Sequence, residues 1–150
     1  MNVRRLFIAA AFSLAAFGVA NAQEHGTPAE AQAMAEAAAA YVAEVGQETA
    51  FEAFTTSDDW KDRDLYVFVV GLDGITAAHG ADPTRVGLDQ RDLTDVNGFH
   101  FIQAMLGIET AGWVDYIWPD PLTGQNEPKT SYIIRIGDFV LGVGAYRLTE

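Results

Sequence analysis

The chain of 150 residues contains no cysteine. This absence excludes disulfide bonds, a lipid-anchored amino-terminal cysteine, a zinc–thiolate site, an iron–sulfur cluster and a thiol nucleophile. Covalent haem attachment is excluded as well, because it needs a Cys-x-x-Cys-His segment. Only three histidines remain as imidazole ligands or bases: His25, His79 and His100.

Positive charge is also scarce in this sequence. Nine Lys and Arg residues stand against 21 Asp and Glu residues, which gives a formal net charge of −12. A field of this sign repels nucleic acid and anionic membrane surfaces, so neither is expected as a partner. An anionic ligand would have to be held by a few local cations rather than attracted by the surface as a whole.

Long hydrophobic runs are rare, and the one that stands out lies at the amino terminus. Leu6 to Val19 is apolar and uncharged, follows Arg4 and Arg5, and precedes a small-x-small pattern that ends at Ala22. This arrangement is typical of a secretory signal peptide, whereas a membrane anchor needs about 18 to 20 apolar residues. We predict cleavage after Ala22, a periplasmic location, and a mature chain of residues 23–150 that does not insert into a membrane. Removal of residues 1–22 takes away two of the nine Lys and Arg residues and no Asp or Glu, so the net charge changes from −12 to −14.

The mature sequence begins with a helical pattern. Thr27 and Glu30 form a capping-box pattern around Pro28, which favours a helix start at Pro28. The helical pattern runs to Phe54, with a kink or an end at Gly46. Apolar residues at helical spacing predict one buried stripe on this helix: Met34, Ala38, Tyr41, Val42 and Val45.

Strand patterns dominate the rest of the chain. Asp73-Gly74 is typical of a hairpin turn, and a short helix with Phe99, Ile102 and Met105 at helical spacing is predicted to end at Gly107. A long helix followed by strands indicates a single α+β domain with an antiparallel sheet. Runs of β-branched and aromatic residues predict five strands: Leu65 to Val70, Ile75 to His79, Gly112 to Trp118, Lys129 to Ile136 and Phe139 to Tyr146.

Three segments carry a resemblance to a known family. The hairpin from Asp64 to Gly80, the block GWVDYIWPDPLTGQNEPKTSY from Gly112 to Tyr132, and the closing run from Gly142 to Tyr146 resemble the single Cache domain of the second type. The resemblance covers nearly all of residues 23–150. It implies a PAS-like sensing fold outside the cytoplasm, with the long N-terminal helix packed on the five-stranded antiparallel sheet.

The resemblance also implies a class of function. In bacteria such domains usually lie between two transmembrane helices of chemoreceptors or sensor kinases, and many bind small organic acids. This sequence shows neither flanking span and no output domain. We therefore expect ligand binding by an exported soluble module rather than direct signalling.

Two aromatic residues of the third predicted strand are candidate ligand contacts. Alternation places Tyr116 and Trp118 on one face together with Val114. Both rings carry a polar group, and an aromatic face covered by loops is where a small-molecule pocket forms. The alternative for either residue is an ordinary place in the core.

Three polar residues near strand ends complete the candidate site. Lys129, a rare cation among aromatic residues, would bind a carboxylate; the alternative is a surface lysine beside Glu127. Tyr132 lies an odd number of residues from Lys129, so a regular strand places the two on opposite faces. Both reach one pocket only if the strand is bulged or Lys129 lies in the loop mouth. His79 ends the second strand, where it would donate to a carboxylate or serve a structural hydrogen bond.

Other residue combinations give little support for catalysis or for a metal site. Arg85 and Arg91 would suit an anion clamp, but four aspartates surround them, and ion pairing within that loop is the favoured explanation. The aspartate spacing does not match an EF-hand calcium loop. Ser131 lacks the glycines of a nucleophile elbow, and the sequence has no His-x-x-x-His pair. We therefore expect neither an enzyme nor a bound metal or cofactor.

These observations together predict a sensor-type module that binds a small organic acid or a similar polar metabolite. Such a module would act with a membrane sensor or a transporter. The alternative is an accessory interaction protein whose pocket is vestigial. A ligand-dependent shift in melting temperature distinguishes the two.

Overall fold

The computed structural model describes residues 24–147, so the predicted signal peptide and its cleavage site lie outside the described residues. The helices are α1 (Pro28–Val45), α2 (Gln47–Thr56) and α3 (Phe101–Leu106). The predicted capping box is present, with the Thr27 hydroxyl accepting from the Glu30 N–H at 3.2 Å and the Glu30 carboxylate accepting from the Thr27 N–H at 2.7 Å. Gly46 separates α1 from α2 at a φ of 88°, a left-handed value that suits glycine, so the predicted interruption is confirmed.

One antiparallel sheet contains the strands of residues 24–147. They are β1 (Lys61–Asp62), β2 (Leu65–Gly71), β3 (Thr76–His79), β4 (Ala111–Pro119), β5 (Asn126–Ile136) and β6 (Phe139–Tyr146). Their spatial order is β1-β2-β6-β5-β4, and β3 also pairs with β2. The five predicted strands correspond to β2 through β6. The sixth, β1, has two polar residues and therefore no alternating pattern, and it pairs with the start of β2 across a tight turn at Arg63, whose φ is 59°.

Helices α1 and α2 cover one face of the sheet, as predicted. The buried positions of α1 are small or β-branched: Ala31, Ala35, Ala38 and Val42. Met34, Tyr41 and Val45, which the sequence pattern predicts to be buried, pack on this core but are only partly buried. Alanines let the helix backbone approach the sheet closely, so the larger side chains lie along the flanks of the contact.

The opposite face of the sheet is covered by α3 and by the loop that follows β3. Alternate residues of β2 divide between the two faces, with Val67 on the helix side and Phe68 on the opposite side. The loop is held against β3 by backbone bonds, including Thr76 N–H to the Leu88 carbonyl at 3.0 Å. This face therefore encloses a second hydrophobic cluster between sheet, helix and loop.

Strand β5 is longer than the sequence predicts and contains Pro128, which was expected in the preceding loop. Ile117 of β4 lies opposite Pro128, and its N–H bonds the Asp95 carboxylate at 3.1 Å instead of the sheet. A proline is tolerated here because the ladder requires no N–H from it at that position. Among residues 24–147, no helix is both long and apolar enough to cross a membrane.

Candidate ligand-binding site

A small cavity lies on the sheet face opposite α1. Its volume is about 30 Å³, two to three times the ~10–15 Å³ that one water molecule needs, so it accommodates a molecule of only a few heavy atoms. Within residues 24–147 no Asp or Glu contributes to its wall. The lining residues come from β2, β3, β4, α3 and the loop after β3: Tyr66, Phe68, Val70, Thr76, His79, Arg85, Gln90, Leu93, Phe101, Ile102, Met105, Tyr116 and Trp118.

Lys129 lies next to this cavity and is only 1% exposed. Its ammonium donates to the Tyr66 hydroxyl at 2.9 Å and lies 4.2 Å from the centre of the Tyr66 ring and 4.8 Å from that of Tyr146. In the described part of the chain no carboxylate lies within ion-pairing distance of this ammonium. Lys129 does not itself line the cavity; Tyr66, to which it is bonded, does.

The ammonium of Lys129 keeps its charge in this setting. Burial acts to lower the pKa of Lys129, whereas Tyr116, Tyr66 and the more distant Asp64 carboxylate raise it, and the net shift is upward. Aromatic faces add to this stabilisation, because their negative quadrupoles attract a cation. The site therefore holds a buried positive charge that aromatic rings and a phenol oxygen contact directly, while the buried Asp64 carboxylate acts on it only from beyond ion-pairing distance.

Tyr116 reaches the same region from β4. Its hydroxyl lies 2.9 Å from the Ser131 hydroxyl on β5, and its ring stacks on Phe101 with 4.5 Å between ring centres. Burial raises the pKa of Tyr116, so the phenol stays protonated. It can therefore serve as a neutral hydrogen-bond donor at the wall of the cavity.

His79 contributes a neutral imidazole. Burial, followed by the positive charges of Lys129 and Arg85, lowers the pKa of His79 to about 3. The ring Nδ1 accepts a hydrogen bond from the Asp82 N–H at 2.9 Å. A neutral ring that accepts at Nδ1 carries its proton on Nε2, which is then the donor that His79 offers.

Trp118 and Arg85 form the outer part of the wall. The Arg85 guanidinium lies 4.7 Å from the centre of the Trp118 ring and donates to the Gln90 side chain at 3.1 Å. The ion pairing predicted within the loop is confirmed for Arg85, whose Nε lies 3.2 Å from the Asp82 carboxylate. Arg91 instead donates to the Leu72 carbonyl at 2.9 Å. Sequence reasoning favoured ion pairing for Arg85 and did not place it in the cavity wall, because its contact with Trp118 joins a loop to a distant strand.

Tyr132 is the predicted site residue that the structure places on the opposite face of the sheet from the cavity. Strand β5 is regular, so the odd spacing from Lys129 places Tyr132 on the helix side of the sheet, where it packs against the core and lies 5.0 Å from the Trp113 ring. Lys129, His79, Tyr116 and Trp118 share the other face. The sequence left open whether Lys129 and Tyr132 reach one pocket. The regular geometry of β5 places them on opposite faces of the sheet.

This arrangement can bind an anion, and residues 24–147 show no metal centre. They contain no cluster of three or more His, Asp or Glu side chains with the geometry of a metal site. The available groups are one buried cation, phenol and imidazole donors, and an apolar wall. Together they suit a small molecule with one negatively charged end and an apolar remainder.

Comparison with known proteins places this fold among Cache domains. The family model described as Single Cache domain 2 matches residues 18–147. A methyl-accepting chemotaxis protein from Vibrio parahaemolyticus RIMD 2210633 is similar in structure, with a TM-score of 0.69 and 23% sequence identity over 79% of this chain and 86% of that chain. No curated protein sequence matches the chain.

Two further solved structures share the fold. The periplasmic sensor domain of a chemotaxis protein aligns with a TM-score of 0.62 and 26% identity, over 79% of this chain and 88% of that one. A Cache chemosensory domain, solved for the structural basis of its carboxylic acid recognition, aligns with a TM-score of 0.61 and 23% identity, over 79% and 86% of the two chains. The predicted α+β architecture, with an N-terminal helix on an antiparallel sheet, is thus shared with chemosensory domains.

Proposed function

The chain belongs to the single Cache domain 2 family, and from this premise we propose that it is a sensor-type module that binds a short monocarboxylate in the cavity beside Lys129. The observation that carries the proposal is the buried ammonium, which has no carboxylate of residues 24–147 within ion-pairing distance. A buried charge outside an ion pair costs several kcal/mol, and a bound carboxylate would supply a counter-charge in direct contact.

Tyr66 connects this charge to the cavity. Its oxygen accepts a hydrogen bond from Lys129, so the Tyr66 O–H can itself donate to a ligand. A hydroxyl that accepts from a cation is polarised and becomes a stronger donor. The hydroxyl of Tyr116 and the Nε2–H of His79 are further donors around the same space. A carboxylate has enough lone pairs to accept from all three.

The lining also supports selectivity against amines and amino acids. No Asp or Glu among residues 24–147 lines the cavity, so the ammonium group of an amino acid would be buried without a partner. The cavity volume of about 30 Å³ favours two or three carbon atoms. A fold relative that was solved for carboxylic acid recognition supports the same ligand class for this chain.

The size of such a ligand limits its affinity. A two- or three-carbon carboxylate has about four or five heavy atoms, and at a ceiling of ~1.5 kcal/mol per atom its binding free energy reaches about 6 to 7.5 kcal/mol. The dissociation constant then lies between tens of micromolar and a few micromolar. Binding in this range follows changes in metabolite concentration, as a sensor requires.

We place this binding in the periplasm and without turnover of the ligand. The predicted signal peptide and the periplasmic sensor domain among the fold relatives support the location. The liganded state would be presented to a membrane sensor or a transporter. Recovery of the acid chemically unchanged after prolonged incubation tests the absence of turnover.

Calorimetry on the purified mature protein tests the proposed ligand class. We expect acetate and propionate to bind and to raise the melting temperature. At a ligand concentration of 100 times the dissociation constant, the free energy of unfolding should increase by about 2.7 kcal/mol. Glycine and methylammonium should not bind. If none of the acids binds, the alternative of an interaction protein with a vestigial pocket is favoured.

The variant Lys129→Met tests the anchor. It should weaken acetate binding by about 1.5 to 3 kcal/mol, roughly 10- to 150-fold. Folding stability should stay the same or rise, because an apolar side chain replaces a buried lone charge. Lys61→Met is the matched control, since that side chain is partly exposed and pairs with the surface residue Asp58. If Lys129→Met binds acetate as tightly as the parent, the anchor lies elsewhere, and His79 is the next candidate.

A further inference from the structure

The side chain of Lys129 has to cross a neighbouring strand to reach Tyr66. Lys129 is on β5 and Tyr66 is on β2, and β6 lies between these two strands. Lys129 pairs with Tyr146 of β6, and Ser131 pairs with Gly144. Val67 pairs with Val143, so Tyr66 is the β2 residue beside Gly144. The lysine stem therefore passes over β6 at Gly144.

Gly144 provides the space for this crossing. A Cβ atom at this position would overlap Lys129 Cε and Ser131 Oγ and would come within 3.2 Å of Lys129 Cδ. Gly144 is not among the glycines of positive φ, so its backbone conformation does not call for glycine. The absence of a side chain is what the position requires.

From this packing we propose that Gly144 is a positioning residue of the ligand site: its missing side chain forms the passage through which Lys129 brings its ammonium to Tyr66. The inference rests on the proposed function, because it assigns Gly144 a role in affinity although Gly144 touches no ligand. Its effect is transmitted by Lys129 and, to a smaller degree, by the Ser131 hydroxyl that holds Tyr116.

The variant Gly144→Ala should fold and lose affinity. The atoms that a new Cβ would meet are the far end of a flexible lysine and a serine hydroxyl, and both can move while the backbone stays in place. The ammonium would then leave Tyr66, and the Tyr116–Ser131 bond would be strained. We expect acetate to bind at least 10-fold more weakly, as for Lys129→Met.

A double-mutant cycle separates positioning from general destabilisation. In a Lys129→Ala background the stem is gone, so Gly144→Ala should cause little further loss of acetate affinity. Val143→Ala is the control, because Val143 is the neighbouring buried residue of β6 but belongs to the helix-side core. It should lower the melting temperature and leave acetate affinity unchanged. Equal acetate affinity of Gly144→Ala and the parent would overturn the proposal.

Nuclear magnetic resonance of lysine-labelled protein gives a readout that does not depend on a ligand. The sequence contains two lysines, Lys61 and Lys129, so each signal is assigned by a single variant. Ring currents from Tyr66, Phe68 and Tyr146 should displace the Lys129 Cε–Hε signal from that of Lys61. Gly144→Ala should move it toward the Lys61 position, and Val143→Ala should not.

The outcomes separate this inference from the proposed function. If the parent binds no acid but Gly144→Ala moves the Lys129 signal, the positioning role is supported and the proposed ligand class is not. If the parent binds acetate and Gly144→Ala changes neither affinity nor signal, the positioning role is wrong. Should Gly144→Ala fail to fold, recovery of folding in Lys129→Ala/Gly144→Ala supports the passage, and failure to recover overturns it.

Discussion

The ionisation of His79 shows how single residues respond to the cavity. The ring lies 5.0 Å from the Tyr66 ring and 6.5 Å from the Phe68 ring, and its charged neighbours are Lys129, Arg85 and Asp82. Burial is the largest cause, and the two cations add to it, so the pKa of His79 falls to about 3, while Asp82 acts weakly in the opposite direction. The imidazole is therefore neutral near pH 7.

This shift predicts a dependence of stability on pH. The pKa of His79 is about 3 in the folded state, against 6.5 for a free histidine. Below pH 6.5 the unfolded state therefore binds the proton first, and the free energy of unfolding decreases as the pH is lowered. The loss attributable to His79 should be about 1 to 1.5 kcal/mol between pH 7.5 and pH 5.5. Urea unfolding of the parent and of His79→Asn measures it.

The asparagine keeps an acceptor near the Nδ1 position but cannot titrate, so its stability should fall less over this range. His100→Asn is the control, because His100 is exposed and its replacement should leave the parent's pH dependence in place. Equal pH dependence of His79→Asn and the parent would contradict the proposed burial of a neutral ring.

Tyr116→Phe tests one neutral donor of the same cavity. It removes the hydroxyl that lies 2.9 Å from Ser131 and keeps the ring stacked on Phe101. We expect acetate affinity to fall by about 1 kcal/mol, less than for Lys129→Met, because a neutral hydrogen bond contributes less than a charged one. Calorimetry on the two variants gives the order; a larger loss for Tyr116→Phe would make the tyrosine, not the lysine, the main anchor.

At the scale of whole elements, close packing between α1 and the sheet limits the side-chain volume that the contact accepts. The helix places Ala31, Ala35 and Ala38 against the strands with no exposed surface. Interiors are packed as densely as organic crystals, so such a contact leaves no room for added methylene groups. Side-chain volume, more than helical propensity, therefore limits substitution on this face.

Ala35→Leu should destabilise the protein by about 1 to 3 kcal/mol, because the larger side chain forces α1 away from the sheet. Ala37→Leu is the matched control, since Ala37 lies on the exposed face of the same helix. It should change stability by less than about 0.5 kcal/mol. Denaturant unfolding compares them, and an equal effect of both substitutions would mean that α1 does not pack as described.

Charge and processing belong to the scale of the whole molecule. The precursor carries a net charge of −12, so an anionic ligand approaches against the general field and depends on local cations at the site. We predict that the exported protein begins at Gln23. Amino-terminal sequencing or intact mass measurement checks this, and an intact Met1 on the exported protein would contradict it.

Local patterns in the sequence were enough to predict most of the elements. The capping box at Thr27, the interruption at Gly46, the Asp73-Gly74 turn and the five long strands depend on residues close in sequence, whose backbone preferences act before any tertiary contact. Alternation likewise placed Tyr116 and Trp118 on one face. Periodicity does not register a two-residue strand such as β1, and it does not show that a proline can enter β5.

Only the tertiary structure decided how the candidate site is composed. The sequence predicts Lys129 as a ligand contact. Its burial beside Tyr66, however, depends on the order in which β5, β6 and β2 are paired and on the absence of a side chain at Gly144. Arg85 enters the wall through a contact with Trp118, far away in the sequence. Tyr132 does not reach the cavity because β5 has no bulge.

The sequence by itself determined which groups are present and which face each strand residue takes, because these follow from local geometry. Strand order and packing determined which of those groups meet, because burial, charge and cavity volume arise only between segments that are distant in the chain.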